Sequence, residues 1–376
     1  MGKKLQFDWI LFAVIAAVSL FGVVMVYSAS AMVALKETEG ASQYGYVFKQ
    51  FAFTVAGLLV MLAATRFDYR WLRQGWLTAA LLLLTVFLLI AALCFAPVNG
   101  ARRWIKFAGF SFQSSELVKP VLVLFLAFFF SKRDSNQMMD LKFTFLPCAF
   151  VAGMLLLLVM AEPDLGTTLV LAITFAVVYF AAGANWRHFA ITGIVAVIGF
   201  AGALILVPWR MKRILAFLDP WNADNAQGAG YQLVQSLMAV GSGGLTGVGF
   251  ANSQQKIYYL PFAHSDFIFA VICEELGLIG ALAVVLIFAM ILWRGARTAI
   301  FAPDRFGRLL AIGLTTNIIV QALFNISVVI GLLPTKGIPL PFISYGGSSV
   351  VVTLASAGLL LNISQYAGTY DFADEK

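Results

Sequence analysis

The sequence predicts an all-α polytopic membrane protein, a single unit over residues 1–376 with about ten transmembrane helices. Composition is the first reason: 61% of the residues are hydrophobic, only 11% are charged, and mean hydropathy is +0.91. Soluble domains do not have this balance. Spacing is the second, since the apolar residues gather into runs of roughly 20, the length a helix needs to cross a bilayer. The third is that the loops between runs alternate between short basic ones and longer ones rich in Gly, Pro and aromatics.

Ten spans can be drawn, at 9–33, 48–65, 75–96, 115–131, 143–162, 165–183, 189–208, 267–293, 308–331 and 346–366. The first follows Lys3 and Lys4 and holds small residues at Ser28–Ala31, which suggests a cleaved signal. Its apolar run is longer than a signal core, so it reads as a retained span. Cys94, Cys148 and Cys273 all fall in apolar runs without metal spacing, implying neither a disulfide framework nor a zinc site.

One set of loops carries Lys3/Lys4, Arg66/Arg70/Arg73, Lys132/Arg133/Lys142, Arg187 and Arg294/Arg297/Arg305/Arg308. Short basic loops are cytoplasmic as a rule, and ten spans then put both termini in the cytoplasm. The bias is modest, fourteen Lys/Arg against eleven on the opposite side. Outer cations such as Arg102, Arg103, Lys106, Arg210, Lys212, Arg213, Lys256 and Lys336 oppose the topology rule. They point either to an anionic ligand at the outer surface or to lipid-headgroup snorkelling. The net charge of +7 is accounted for in these terms without nucleic acid. No fixed-period repeat or inverted duplication is visible, which argues against a secondary transporter.

The outer loops hold most of the polar chemistry. Asn99–Trp104 opens the second, and Phe112–Lys119 closes it into the fourth span. Glu116 and Lys119, three apart on a helix, can pair; the pair either orients one helix against another or frees Lys119 to reach an anionic head group. Glu162-Pro163-Asp164 breaks the fifth span from the sixth, reading as a tight hairpin with Asp164 capping the sixth helix. The long outer loop between the seventh and eighth spans, 209–266, is too rich in aromatics for disorder. Its glycines at 241–249 lack Walker spacing and read as tight turns or as backbone lying close to a ligand. The last outer loop contains Lys336, three prolines and Ser344-Tyr345-Gly346-Gly347.

Asp266 stands at the doorway of the eighth span, just after His264, and Glu274 and Glu275 lie inside it. Acids at membrane depth are functional candidates by default. The alternative is that Ser265 and Asp266 merely cap a helix N-terminus. Asp266 and Glu274 are separated by about 12 Å along a helix, long for the carboxylate pair of a hydrolytic glycosidase. A diphosphate leaving group changes the requirement, because it departs as a stable anion. One base and several Lys/Arg at a membrane surface therefore suit transfer of a sugar from a lipid diphosphate.

The segments NGARRW, SSELVK, PDLGTT, FLDPW, YQLVQS, GSGGLTGVGF, YLPFAHSDFIFAVICEELG and LPTKGIPLPFISYGGSS together resemble the SEDS proteins, the bacterial shape, elongation, division and sporulation polymerases. FLDPW and YQLVQS look more like the division branch (FtsW) than the elongation branch (RodA). The resemblance implies ten transmembrane helices in the bacterial cytoplasmic membrane, at the division septum, and peptidoglycan glycosyltransferase activity on lipid II. By the same resemblance Asp266 is the general base, Arg103 is the family's loop arginine, and Glu116 and Lys119 are its charged pair. Lys256, His264, Lys336 and Ser344 complete the candidate substrate-binding set. Implied partners are the nascent glycan, a class B penicillin-binding protein transpeptidase and divisome membrane proteins. No cofactor is implied, though a divalent cation (Mg or Mn) could assist the diphosphate. Ser114 replaces the family's usual proline, Phe262 an often acidic residue and Ser265 the usual threonine; Ser114 bears on the entry angle of the fourth helix, not on the chemistry. A lipid II flippase is the competing function, and would need polar groups distributed through membrane depth.

Overall fold

A computed structural model describes residues 7–97, 100–107, 110–185, 187–188, 190, 193–194, 198–199, 202, 208–257 and 259–367. Eight of its helices are long and apolar enough to cross a membrane, and a shorter apolar helix accompanies them. In chain order α1 (Trp9–Glu37), α2 (Gly45–Ala64) and α3 (Gly75–Cys94) come first. They lead to a two-stranded hairpin, β1 (Trp104–Phe107) and β2 (Phe110–Gln113), and then to α4 (Ser114–Ser131). A short α5 (Ser135–Met138) and one π-turn precede α6 (Leu146–Ala161), with α7 (Leu165–Ala181) directly after it. The expected span 189–208 lies mostly outside the described residues.

The long segment before the eighth expected span contains α8 (Pro208–Leu218), α9 (Ala223–Gln227) and α10 (Tyr231–Ser242). The last three spans are α11 (Ile268–Ile300), α12 (Arg305–Val329) and α13 (Gly347–Ser364). Expected and observed span ends differ by a few residues because hydropathy marks the apolar core, whereas capping groups mark the helix end. Asp8 accepts from Leu11 N to start α1, and Asp304 from Gly307 N to start α12. Asp8 also pairs with Arg294 at 2.6 Å, tying the start of α1 to α11 near its far end.

α4, α12 and α13 are the most enclosed spans, while α2 and α3 turn most of their surface outward. That outward surface is lipid-facing, so an apolar side chain there needs no protein partner. α10 is bound to the bundle by Ser236, whose hydroxyl donates to Val329 O at 2.8 Å.

The eighth expected span is not one continuous helix. At Gly277 the backbone takes φ +65° and ψ −162°, breaking α11 at its tenth residue. The glycine-rich segment after α10 fills the break. Val248 N and Gly249 N donate to the carbonyls of Glu274 and Glu275, and Leu278 N and Ile279 N donate to Gly244 O and Leu245 O. Approach is so close that a Cβ on Gly247, itself at φ +81°, would lie 2.1 Å from Glu275 O. These glycines therefore let backbone meet helix backbone. Unsatisfied amides are costly away from water, and the inserted loop supplies the partners the kink removes.

Candidate active site

Three elements converge on Asp266. Its own segment enters α11, the segment 335–345 lies against it, and the hairpin brings Arg103 from the far side of the α6–α7 turn. Asp266 is not a helix cap: Phe267 occupies that position with no side-chain capping bond. The position is set instead through its backbone, as Asn325 on α12 donates to both Asp266 O and Ile338 O at 2.7 Å. Ser344 donates to Ser265 O at 2.6 Å, and Tyr345 N donates to His264 O at 2.9 Å. Gly337 faces the carboxylate, since a Cβ there would sit 2.8 Å from Asp266 Oδ2.

The carboxylate makes no hydrogen bond or ion pair with any described residue. It is partly exposed within a recess of the protein. Burial raises its pKa to about 6; Arg103 and Arg213 oppose the rise and Asp164 adds to it. Desolvation dominates because removing water penalises the ionised form more than two distant cations restore it.

Arg103 is held in place by Asp164, Nη1 to Oδ2 at 3.4 Å. Asp164 does cap α7, accepting from Thr167 N at 3.0 Å, and it also gathers Gln113 and Ser115. The β-hairpin makes this possible by folding Ser114 N back onto Arg103 O. Ser114, where the family pattern expects proline, donates its hydroxyl to Glu162 Oε1 at 2.7 Å. Glu162 is fully buried, and that burial lifts its pKa to about 8. Arg213 donates to Thr335 O at 3.3 Å.

The other sequence candidates are placed variously. Lys336 adjoins Gly337 on the loop facing Asp266. Glu116 and Lys119 form the anticipated ion pair at 2.8 Å, buried on α4, and Lys119 also donates to Gln321 at 2.6 Å. A cavity of about 20 Å³ beside Lys119 is lined by Asn317, Gln321 and Ser356 among others. Lys256 is turned toward Glu275, 2.6 Å away, rather than toward Asp266. His264 packs at a tilt against Tyr46 and edge-on against Tyr345, and burial lowers its pKa to about 4, so its imidazole is neutral at ordinary pH. Ser344 is buried and accepts from Leu340 N while bracing Ser265.

Sequence reasoning missed Asp164, Glu162 and Asn325 as parts of this site, and had Arg213 only as one of several cations that could meet an anionic ligand. Asp164 and Glu162 were visible as acids at a span junction, but a turn explained them equally well. Asn325 lies in an apolar run with no local signal.

Comparison with known proteins decides the affiliation. The cell cycle protein family that groups FtsW, RodA and SpoVE matches residues 8–369. The chain belongs to the SEDS family. Stage V sporulation protein E of Bacillus subtilis is 39% identical over 369 residues, covering 97% of this chain and 99% of that protein. The probable peptidoglycan glycosyltransferase FtsW of Geobacter sulfurreducens is 40% identical over 364 residues, covering 96% and 95%. Among solved structures, one from a study of a peptidoglycan synthase complex coordinating polymerization and crosslinking matches with TM-score 0.78 and 27% identity, covering 96% of this chain and 98% of its own. An aspartate-to-alanine variant of Thermus thermophilus RodA matches with TM-score 0.71 and 26% identity, covering 98% and 100%. In this SEDS chain, then, Asp266, Arg103, Asp164 and Arg213 form one electrostatic cluster at the N-terminal end of α11.

Proposed function

We propose that Asp266 is the general base of this peptidoglycan glycosyltransferase. Its carboxylate takes the proton from the 4-hydroxyl of the acceptor sugar as that oxygen attacks the anomeric carbon of lipid II. The bond from that carbon to the diphosphate oxygen breaks, inverting the centre, and undecaprenyl diphosphate leaves. Repetition grows a β-1,4 glycan strand at the outer face of the cytoplasmic membrane.

The observation that supports this reading is a recessed carboxylate with no bonded partner among the described residues and a pKa of about 6. Such a base is ionised at neutral pH yet retains enough basicity to accept a proton. Arg103 and Arg213 supply positive charge nearby, and Lys336 lies on the adjoining loop; a diphosphate stabilised by cations needs no general acid. Among the described residues no group of three or more His, Cys, Asp or Glu could hold a metal. The described residues thus offer no site that would hold Mg or Mn with protein ligands alone; such an ion would have to rest on the substrate diphosphate as well.

The test uses the purified chain with its class B penicillin-binding protein and lipid II. Asp266→Asn is expected to abolish glycan formation while lipid II still binds; wild-type polymerisation by that variant removes the assignment. The flippase reading fares less well. Polar groups do descend through the bundle, at Lys119, Asn317 and Gln321, but they bond to one another or to backbone. The cavity of about 20 Å³ beside them holds about one water, not a sugar diphosphate.

The setting proposed is the division septum, with both termini cytoplasmic and with divisome membrane proteins as further partners. Depletion should give filaments lacking septa. Normal division with a defective spore coat or cortex would instead assign the chain to the sporulation branch.

A further inference from the structure

Two acids and a lysine of the α11 region are absorbed by none of the chemistry above. Glu274 and Glu275 are both buried, at 2% and 0% exposure, and so is Lys256 at 5%. Glu274 accepts from Ser253 Oγ and from Gln254 N. Glu275 accepts from Lys256 Nζ and from Ser28 on α1, both at 2.6 Å, and Lys256 Nζ reaches the same Ser28 hydroxyl at 2.9 Å. The three side chains close a triangle that joins the outer loop, α11 and α1.

The place of this triangle in the chain gives it a consequence. Lys256 and Glu275 are nineteen positions apart, and Asp266 lies near the middle of the stretch between them. Their ion pair closes that stretch into a ring with the carboxylate at its far side. Just beyond the ring α11 breaks at Gly277, so the helical segment carrying Glu275 joins the rest of its span through a kink filled by the 244–249 backbone rather than through continuous helix. On the opposite side the bracing runs through Asn325 to Asp266 O, Ser344 to Ser265 O and Tyr345 N to His264 O, all of them bonds to backbone.

We propose that Lys256, Glu275 and Ser28 form a staple that positions Asp266, making Lys256 and Glu275 positioning residues rather than substrate ligands. The inference rests on the reading of Asp266 as the base. Misplacing a reacting group by about 1 Å can cost on the order of a hundredfold in rate, so loosening the ring is expected to act on turnover. Binding of lipid II, which the staple does not touch, is expected to stay near wild type.

The experiment compares K256M, E275Q, K256R and D266N in the full chain with its transpeptidase partner. Steady-state polymerisation of lipid II is measured beside hydrogen exchange of the peptides on both sides of Asp266. Expected are a tenfold or greater fall in kcat for K256M and E275Q, a KM within about threefold of wild type, and faster exchange around Asp266. K256R, which keeps a cation for Ser28 and Glu275, is expected to recover most of the loss. Wild-type kcat in K256M and E275Q, a defect confined to KM, or unchanged exchange would each overturn the staple. Should either single variant fail to assemble because a charge is left buried alone, the paired K256M/E275M variant carries the test. It is expected to assemble with low kcat, and wild-type kcat in it overturns the proposal. An active D266N would instead defeat the base assignment, whatever the staple variants do.

Discussion

Acidification is the perturbation that reports most directly on Asp266. With a pKa of about 6 its carboxylate is half ionised near pH 6, and about one-tenth ionised a unit lower. As the ionised form is the base, kcat/KM is expected to fall about tenfold per unit below that point. Lipid II has ionisations of its own, so the limb alone does not name the residue. The charges facing Asp266 do, because they act in opposite directions: Arg103 and Arg213 lower its pKa and Asp164 raises it. At an effective dielectric of about 20, a unit charge roughly 8–16 Å away is worth about 1–2 kcal/mol, near one pKa unit. Asp164→Asn should therefore move the acid limb down by up to about one unit, and Arg103→Gln should move it up by a similar amount. The assay is initial rate of glycan formation from lipid II between pH 4.5 and 8, each variant normalised to its own plateau. A limb that stays put in both variants, or that moves the same way in both, refutes the argument.

Three further outcomes follow from buried groups. Glu162 has a folded pKa of about 8 against an ordinary 4.5, so its contribution to stability is full below the unfolded value and is lost as pH rises toward 8, by at most about 1.4 kcal/mol per unit. Glu162→Gln should abolish that decline, read as a gain in Tm over wild type that grows from pH 5 to 8; a constant difference would contradict it. Gly247→Ala sets a Cβ 2.1 Å from Glu275 O at φ +81°, and should cost at least about 2 kcal/mol, visible as a lower Tm in detergent; an unchanged Tm would mean the loop does not insert at the kink. Glu116→Gln leaves Lys119 buried without its counterion, a loss of about 3–5 kcal/mol that the paired E116M/K119M change should largely restore; equal melting of E116Q and wild type would count against the pair as a brace.

Nine of the expected spans correspond to described helices, and the reason is local. Burial in lipid demands a run of apolar residues and internally bonded backbone, and both are written contiguously. The pairing of Glu116 with Lys119 and the cap at Asp164 were legible for the same reason, being three-residue relations. The break in α11 was not, since IFAVICEELGLIGALAV reads as unbroken helix with a tolerated glycine; the amides that rescue the kink come from residues 248 and 249, more than twenty positions upstream.

Asp266 stood out in the sequence because a lone acid beside an apolar run, together with cations on the outer side, already limits the chemistry. What surrounds it did not. Arg103 meets Asp164 across 61 residues and Gly337 comes to Asp266 across 71, while Lys256, equally plausible on paper, is committed to Glu275 and Ser28. Composition and short-range pattern determine which segments enter the bilayer and which residue types are available at its surface. Which cation faces the carboxylate and which is spent on bracing depends on how helices pack at long range, and only the folded bundle resolves that.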